Sequence, residues 1–234
     1  MGEMPFFVDY YYLILVLPAV LLAFAAQVSV QSTFKKYSQV ATRSGMTGRD
    51  ASAAIQQANG LHVPVESVAG SMTDHYDPRD NVIRLSETVG PARSVAAVGV
   101  AAHETGHALQ YATGYGPVKL RMGILPVTQF ASTLSPYLVI AGLLFHFQYL
   151  AILGVAFFGV AVLFQLITLP VEFNASARAM KALEAQGILT QEELAGARKV
   201  LTAAAMTYVA ALFVSLMSLL RLILLVLGRG RRNR

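Results

Sequence analysis

"SVAAVGVAAHETGHALQYAT", residues Ser94–Thr113, reads as one helix that begins at about Ser94 and is stopped by Gly114, Gly116 and Pro117. Within it, His103-Glu104-Thr105-Gly106-His107 fits the H-E-x-x-H pattern. Residues four apart on a helix lie one turn above each other, so both imidazoles can reach a single Zn²⁺ while Glu104 projects beside them toward an attacking water. Shuffling a chain of this composition produces the pattern in fewer than about one case in a hundred. The competing reading is a satisfied His-Glu pair at the polar end of an apolar helix. It requires two imidazoles and a carboxylate to be buried against "SVAAVGVAA" without other partners, which is costly. Gly106 costs the helix up to about 1 kcal/mol relative to Ala, so its presence predicts close approach by another segment.

Upstream, residues 31–117 hold much of the charge and most of the turn signals, and read as the main water-facing part. "TGRDASAAIQQANG" predicts a short helix capped by Thr47 and Asp50 and ended by Asn59-Gly60. "VPVESVAG" and "SMTDHYDPRDNVIRLSE" place β-branched residues around turn formers, predicting a hairpin that turns at Asp77-Pro78-Arg79-Asp80-Asn81. Its DPRD charges have a plainer reading as a solvated tight connection.

The wider chain sets these elements beside a membrane. Of 234 residues, 55% are hydrophobic and only 13% charged, and the mean hydropathy is +0.54, outside the usual soluble balance. Tyr10–Val30 is long enough to cross a bilayer, and its acid-bearing flank (Glu3, Asp9), without Lys or Arg, disfavours the alternative of a cleaved signal peptide. Ile124–Leu169 is uncharged and is divided by His146-Phe147-Gln148 into two further spans; a fourth runs from about Ala203 to Leu227. The expected organisation is therefore an N-terminal transmembrane helix (1–30), the main catalytic part (31–117), a transmembrane hairpin (118–169), a catalytic continuation (170–202) and a last transmembrane helix with a basic tail (203–234). A second capping box, Thr190 with Glu193, falls in the continuation. The fold class expected is mainly α: an integral membrane protein of about four transmembrane helices with a small α+β zincin-like domain, its short β-hairpin beside the metal helix.

The net charge of +5 comes from residues that flank apolar runs, and no basic-aromatic recognition module is visible, so nucleic acid is not an expected partner. Lys35, Lys36, Lys119, Arg121, Arg178, Lys181, Arg198 and Lys199 place both charged intervals on the cytoplasmic side by the positive-inside rule; the tail arginines Arg229, Arg231, Arg232 and Arg234 vote the other way. With no cysteine, the metal ligands must be His, Asp or Glu.

A catalytic zinc needs a third protein ligand. No His follows His107 at the short metzincin distance, so the ligand lies further off. Glu172, in "LPVEFNASARAM", is the leading candidate: Pro170 can begin a helix there, and Ala175, Ser176 and Ala179 permit tight packing against the metal helix. His75 is the alternative, His62 is weaker, and His146 falls on the other side of the membrane. For the oxyanion donor, His75, Tyr76 and Tyr111 are available; Tyr111 continues the His103, His107 face, although a tyrosine packed at a helix end reads the same.

"DHYDPRDNVIRLSE", "AAHETGHALQ" and "LPVEFNASARAM", in this order and between these spans, closely resemble the YugP-like membrane zinc metallopeptidases over nearly the whole chain. More distantly the layout resembles the gluzincin arrangement of HtpX-type and CaaX prenyl endopeptidases. That likeness implies Glu172 as third ligand, one catalytic zinc and Glu104 as general base. Where those relatives carry an Asp four residues after the Glu, this chain has Ser176, so Ser176 or Asn174 would have to hold a zinc histidine instead. The function implied is a multi-pass membrane zinc endopeptidase acting on protein or peptide, its site on the cytoplasmic side. A non-catalytic zinc scaffold is the alternative, disfavoured because a structural site has no use for Glu104. A metal transporter would want ionisable residues in the second and third spans, which contain none.

Overall fold

The computed structural model describes residues 9–232, with side chains as far as Gly228; Glu3 and the arginines of the basic tail therefore lie outside the described side chains. A π-helical turn (Tyr12–Val16) leads into α1 (Leu17–Ser38), followed by α2 (Gly48–Ala58), β1 (Val65–Val68), β2 (His75–Asp77), β3 (Val82–Ser86), α3 (Val95–Ala112), α4 (Gly116–Leu144), α5 (Gln148–Ala185) and α6 (Gln191–Arg232). These elements form two compact units. One gathers residues up to Ala26, Leu120–Leu169 and residues from Thr207; the other gathers Gln27–Lys119 and Pro170–Met206.

The first unit is built from long apolar helices. Among the described residues, four helices are long and apolar enough to cross a membrane. In the α4–α5 hairpin, small residues bring the backbones together: a Cβ on Gly154 would lie 2.7 Å from the Val139 nitrogen, and one on Gly142 would strike Ala151. The Ser135 hydroxyl donates to the Gly154 carbonyl (2.8 Å), and Val139, Leu143, Ala151 and Val226 form the buried cluster. At the start of the π-helical turn, Asp9 accepts the Tyr12 N–H and pairs with Arg221 at 2.6 Å.

The second unit is arranged around α3. α3 has the expected ends: it is capped by the Ser94 hydroxyl, which accepts the Ala97 N–H, and Gly114 follows it with φ +65°. Small residues along the helix let neighbours approach from several directions. Toward the sheet, Ala97, Ala101 and Ala108 pack with Ile83, Leu85 and Val89. Away from it, Val98, Ala102 and Leu109 share a core with Ile55 of α2, Ala179 and Leu183 of α5, and Leu194 and Leu201 of α6. The capping boxes at Thr47–Asp50 and Thr190–Glu193 also form.

The sheet has the order β1-β3-β2, with β1 parallel and β2 antiparallel to β3. The expected hairpin is β2–β3, with Asn81 at φ +52° in its turn. The DPRD charges are more than solvated: Arg84 bridges to Asp77 (2.9 Å), Asp80 (2.6 Å) and Glu66 (3.3 Å). These pairs, part-buried at Asp77 and exposed at Asp80 and Glu66, hold the turn against the strand. Beyond the hairpin, β1 pairs along the far side of β3, whose Val82, Ile83 and Leu85 are buried as expected of a central strand.

Pro170 corrects one expectation. It does not begin a helix but lies inside α5, which runs unbroken from Gln148 to Ala185. Proline removes one N–H and crowds one preceding carbonyl, a local cost that a long helix with Thr168 buried just before the residue and Val171 just after it can bear.

The Gly106 expectation has a specific neighbour. A Cβ there would sit 2.5 Å from the Ala175 carbonyl oxygen of α5, a backbone atom that cannot rotate away. Gly106→Ala should therefore destabilise the protein by about 1–3 kcal/mol, against the gain of about 1 kcal/mol that alanine brings to a free helix. A melting temperature equal to or above wild type would show that α3 and α5 are not in fixed contact at this point.

Candidate metal centre

His103 and His107 project from one face of α3, their Nε2 atoms 3.2 Å apart. The close contact at Gly106 brings α5 near enough for Glu172 to join them, its Oε2 lying 3.4 Å from the His103 Nε2 and 3.5 Å from the His107 Nε2. Glu172 is 3% exposed. Two imidazole nitrogens and a carboxylate oxygen thus form a triangle with edges of 3.2, 3.4 and 3.5 Å. A tetrahedral zinc with N and O bonds of about 2.0–2.1 Å has ligand–ligand edges of about 3.3 Å. In chemistry and spacing the donors fit that ion.

Each imidazole is held from behind. His103 Nδ1 meets the Ser176 hydroxyl at 3.1 Å, one turn after Glu172 on α5. His107 Nδ1 meets the Gln110 Oε1 at 3.0 Å, and the Gln110 amide nitrogen donates to the Val171 carbonyl (2.7 Å) and to Asn174 Oδ1 (3.0 Å). An Nδ1–H directed at an oxygen acceptor leaves the Nε2 lone pair facing the centre. Burial by itself would lower the pKa of His107, but its hydrogen bond to Glu172 and the charges of Glu104 and Glu172 outweigh that and raise it. The surroundings favour a positive charge at this position.

Glu104 is buried beside the histidines, and its Oε2 accepts the backbone N–H of Tyr76 in β2 at 2.9 Å. The Tyr76 phenol donates to Asn81 (2.7 Å), so this residue reaches Glu104 through its main chain and the hairpin turn through its side chain. Burial first, then Tyr111 and Asp77, raise the pKa of that phenol and keep it neutral.

Of the residues singled out in the sequence, the structure brings His103, His107 and Glu172 together as a possible metal group and sets Glu104 alongside. His75 is exposed, with its Nδ1 2.8 Å from the Thr73 carbonyl; neither it nor the exposed His62 belongs to the group. Tyr111 packs its ring 5.3 Å from that of Tyr76. Ser176 contacts one histidine directly, and Asn174 reaches the other through Gln110.

Gln110 is a functional candidate that the motif does not include. The signal the sequence carries is its place three residues after His107, on the same helical face; in the structure it is fully buried, where an amide needs partners. Gln110→Leu keeps the volume and removes the acceptor, and should weaken zinc binding about 10- to 100-fold in competition with a chromogenic chelator. Unchanged affinity would mean that the amide serves packing alone.

Two imidazoles from one helix completed by a carboxylate from another form the donor set of one class of zinc peptidase. By sequence the chain belongs to the family described as "Putative neutral zinc metallopeptidase", which it matches over residues 12–227. It is similar to the "Putative membrane protease YugP" of Bacillus subtilis (strain 168): 49% identical over 223 residues, covering 95% of this chain and 99% of that protein. No solved structure matches it.

Proposed function

We propose that the chain is an integral-membrane zinc endopeptidase whose ion is held by His103, His107 and Glu172, with Glu104 as general base. The observation that carries this reading is the triangle of donors with a buried glutamate anchored next to it. A bound zinc supplies Lewis-acid activation of water and of the scissile carbonyl. Glu104 takes the proton of the attacking water and passes it to the leaving amine. Anchoring Oε2 on the Tyr76 amide aims the other carboxylate oxygen at that task. His75 precedes Tyr76 in β2 and Tyr111 packs on its ring, so these two side chains are the proposed sources of an oxyanion donor; full turnover in both His75→Ala and Tyr111→Phe would remove that role from them. β2 lies at the sheet edge, and an extended substrate can add along it as a further strand. Flexible protein segments near a membrane are the substrate class this favours.

The membrane reading rests on the four apolar helices and on large side chains left outward on them, among them Phe24 (68% exposed), Phe130 (65%) and Leu163 (58%). Such a surface suits lipid. The flanking cations favour a cytoplasmic site, which a single cysteine at position 43 in the otherwise cysteine-free chain tests: labelling by an impermeant reagent from outside intact cells would reverse the orientation.

The enzymatic reading is tested by cleavage of casein or a membrane-protein substrate by the purified chain, before chelation, after it, and after zinc is restored. Loss and recovery are expected. Equal cleavage in all three states would leave the non-catalytic scaffold as the better account.

A further inference from the structure

A cavity of about 720 Å³ opens between the C-terminal part of α1 and the N-terminal part of α6, away from the metal ligands. Three cations line it: Lys36 from α1, and Arg198 and Lys199 from α6. All three are exposed, no Asp or Glu is in the lining, and among the described residues no carboxylate lies within ion-pair distance of any of them. The Lys36 ammonium sits 5.6 Å from the centre of the Tyr37 ring. That ring is held in turn: a Cβ on Gly196 of α6 would lie 2.7 Å from it, so the two helices meet closely at the cavity wall.

Thr33 and Thr202 add hydroxyl donors, and Leu194 and Met206 add apolar surface. Three uncompensated cations with hydroxyls beside them call for a multiply hydrogen-bonded anion such as a phosphate group. The apolar surface calls for something attached to it. Position along the chain points the same way. Lys36 comes just after the apolar run of α1, and Arg198 and Lys199 come just before that of α6. Where such runs cross a bilayer, these positions fall at headgroup level, and basic pockets between helices there suit anionic lipid.

We infer that this cavity binds the headgroup of an anionic phospholipid, its phosphate among Lys36, Arg198 and Lys199 and the start of its acyl chains along Leu194 and Met206. The inference rests on the membrane reading above. It adds a lipid-binding site at the base of α6, the helix whose Ala197 packs against Gly99 of the metal-bearing α3.

The test uses the full chain in neutral detergent, observed by native mass spectrometry with phosphatidylglycerol and phosphatidylcholine of equal acyl length. Wild type should retain phosphatidylglycerol in preference. Lys36→Ala/Arg198→Ala/Lys199→Ala should lose that preference, with affinity falling about fivefold per cation and roughly 100-fold in all. Lys35→Ala/Lys119→Ala, which removes cations outside the cavity, should keep it, and the melting temperature of each variant controls for folding. The site is overturned by equal retention of both lipids in wild type, by a preference that survives in the triple variant, or by its equal loss in the control pair. Displacement by inorganic phosphate at the same molar concentration as the lipid would assign the cavity to free phosphate and overturn the lipid. Alkaline carbonate extraction separates the two readings: a chain released from membranes fails the membrane reading, and a chain retained without lipid preference fails this inference alone.

Discussion

Glu104→Gln is expected to lower peptide hydrolysis by about 10²- to 10⁴-fold, the usual contribution of a general base, while leaving one zinc per chain. The structure explains why the two effects should separate. Glu104 is not in the donor triangle, and its carboxylate is anchored by the hydrogen bond from the Tyr76 amide. A glutamine can accept that bond through its oxygen, so the side chain keeps its place. Its amide nitrogen then faces the reacting water, where it has no lone pair to take a proton and no negative charge to stabilise the transfer. The loss corresponds to about 3–5 kcal/mol of transition-state stabilisation. Turnover within a few-fold of wild type at unchanged zinc content would remove Glu104 from the chemistry.

Glu172→Ala is expected to do the reverse and empty the centre itself. It removes the only carboxylate in the donor triangle and leaves two imidazoles, too few for a catalytic zinc site. Loss of a direct ligand should exceed the 10- to 100-fold cost of disturbing an outer partner, so zinc measured by elemental analysis after dialysis against buffered metal should fall below about a tenth of the wild-type content. His75→Ala serves as the comparison, because His75 stands outside the group and should keep full metal. If the Glu172 variant retained its zinc and the His75 variant lost it, the third ligand would move to the hairpin.

How far the sequence could be read depended on the distance over which each feature is determined. Thr47 with Asp50, Ser94 before α3 and Thr190 with Glu193 are settled within a few residues, and each forms as its local chemistry suggests. Spacing alone put His103 and His107 on one face. Gly106 announced a close neighbour but did not name Ala175. Pairing was harder. β1 skips the next strand, β2, to join β3 in parallel, and its four residues have no alternation that would say so. Pro170 favours a helix start by its local preference, yet α5 runs through it, and Val171 and Ala175 just beyond are fully buried. The spacing of Gln110 after His107 is local, but its partners Val171 and Asn174 belong to another helix, so its role as a link between the two is set by tertiary packing.

The anchor of Glu104 has a consequence for how this site tolerates change. Its donor is the Tyr76 N–H, a group that every amino acid but proline carries. Side-chain replacement at position 76 can disturb the ring against Tyr111 or the bond to Asn81 yet leave the amide in place. The orientation of the proposed base is thereby insulated from most single-codon changes in β2. An alanine scan of the strand would pass over this support, and only a proline at 76 would expose it.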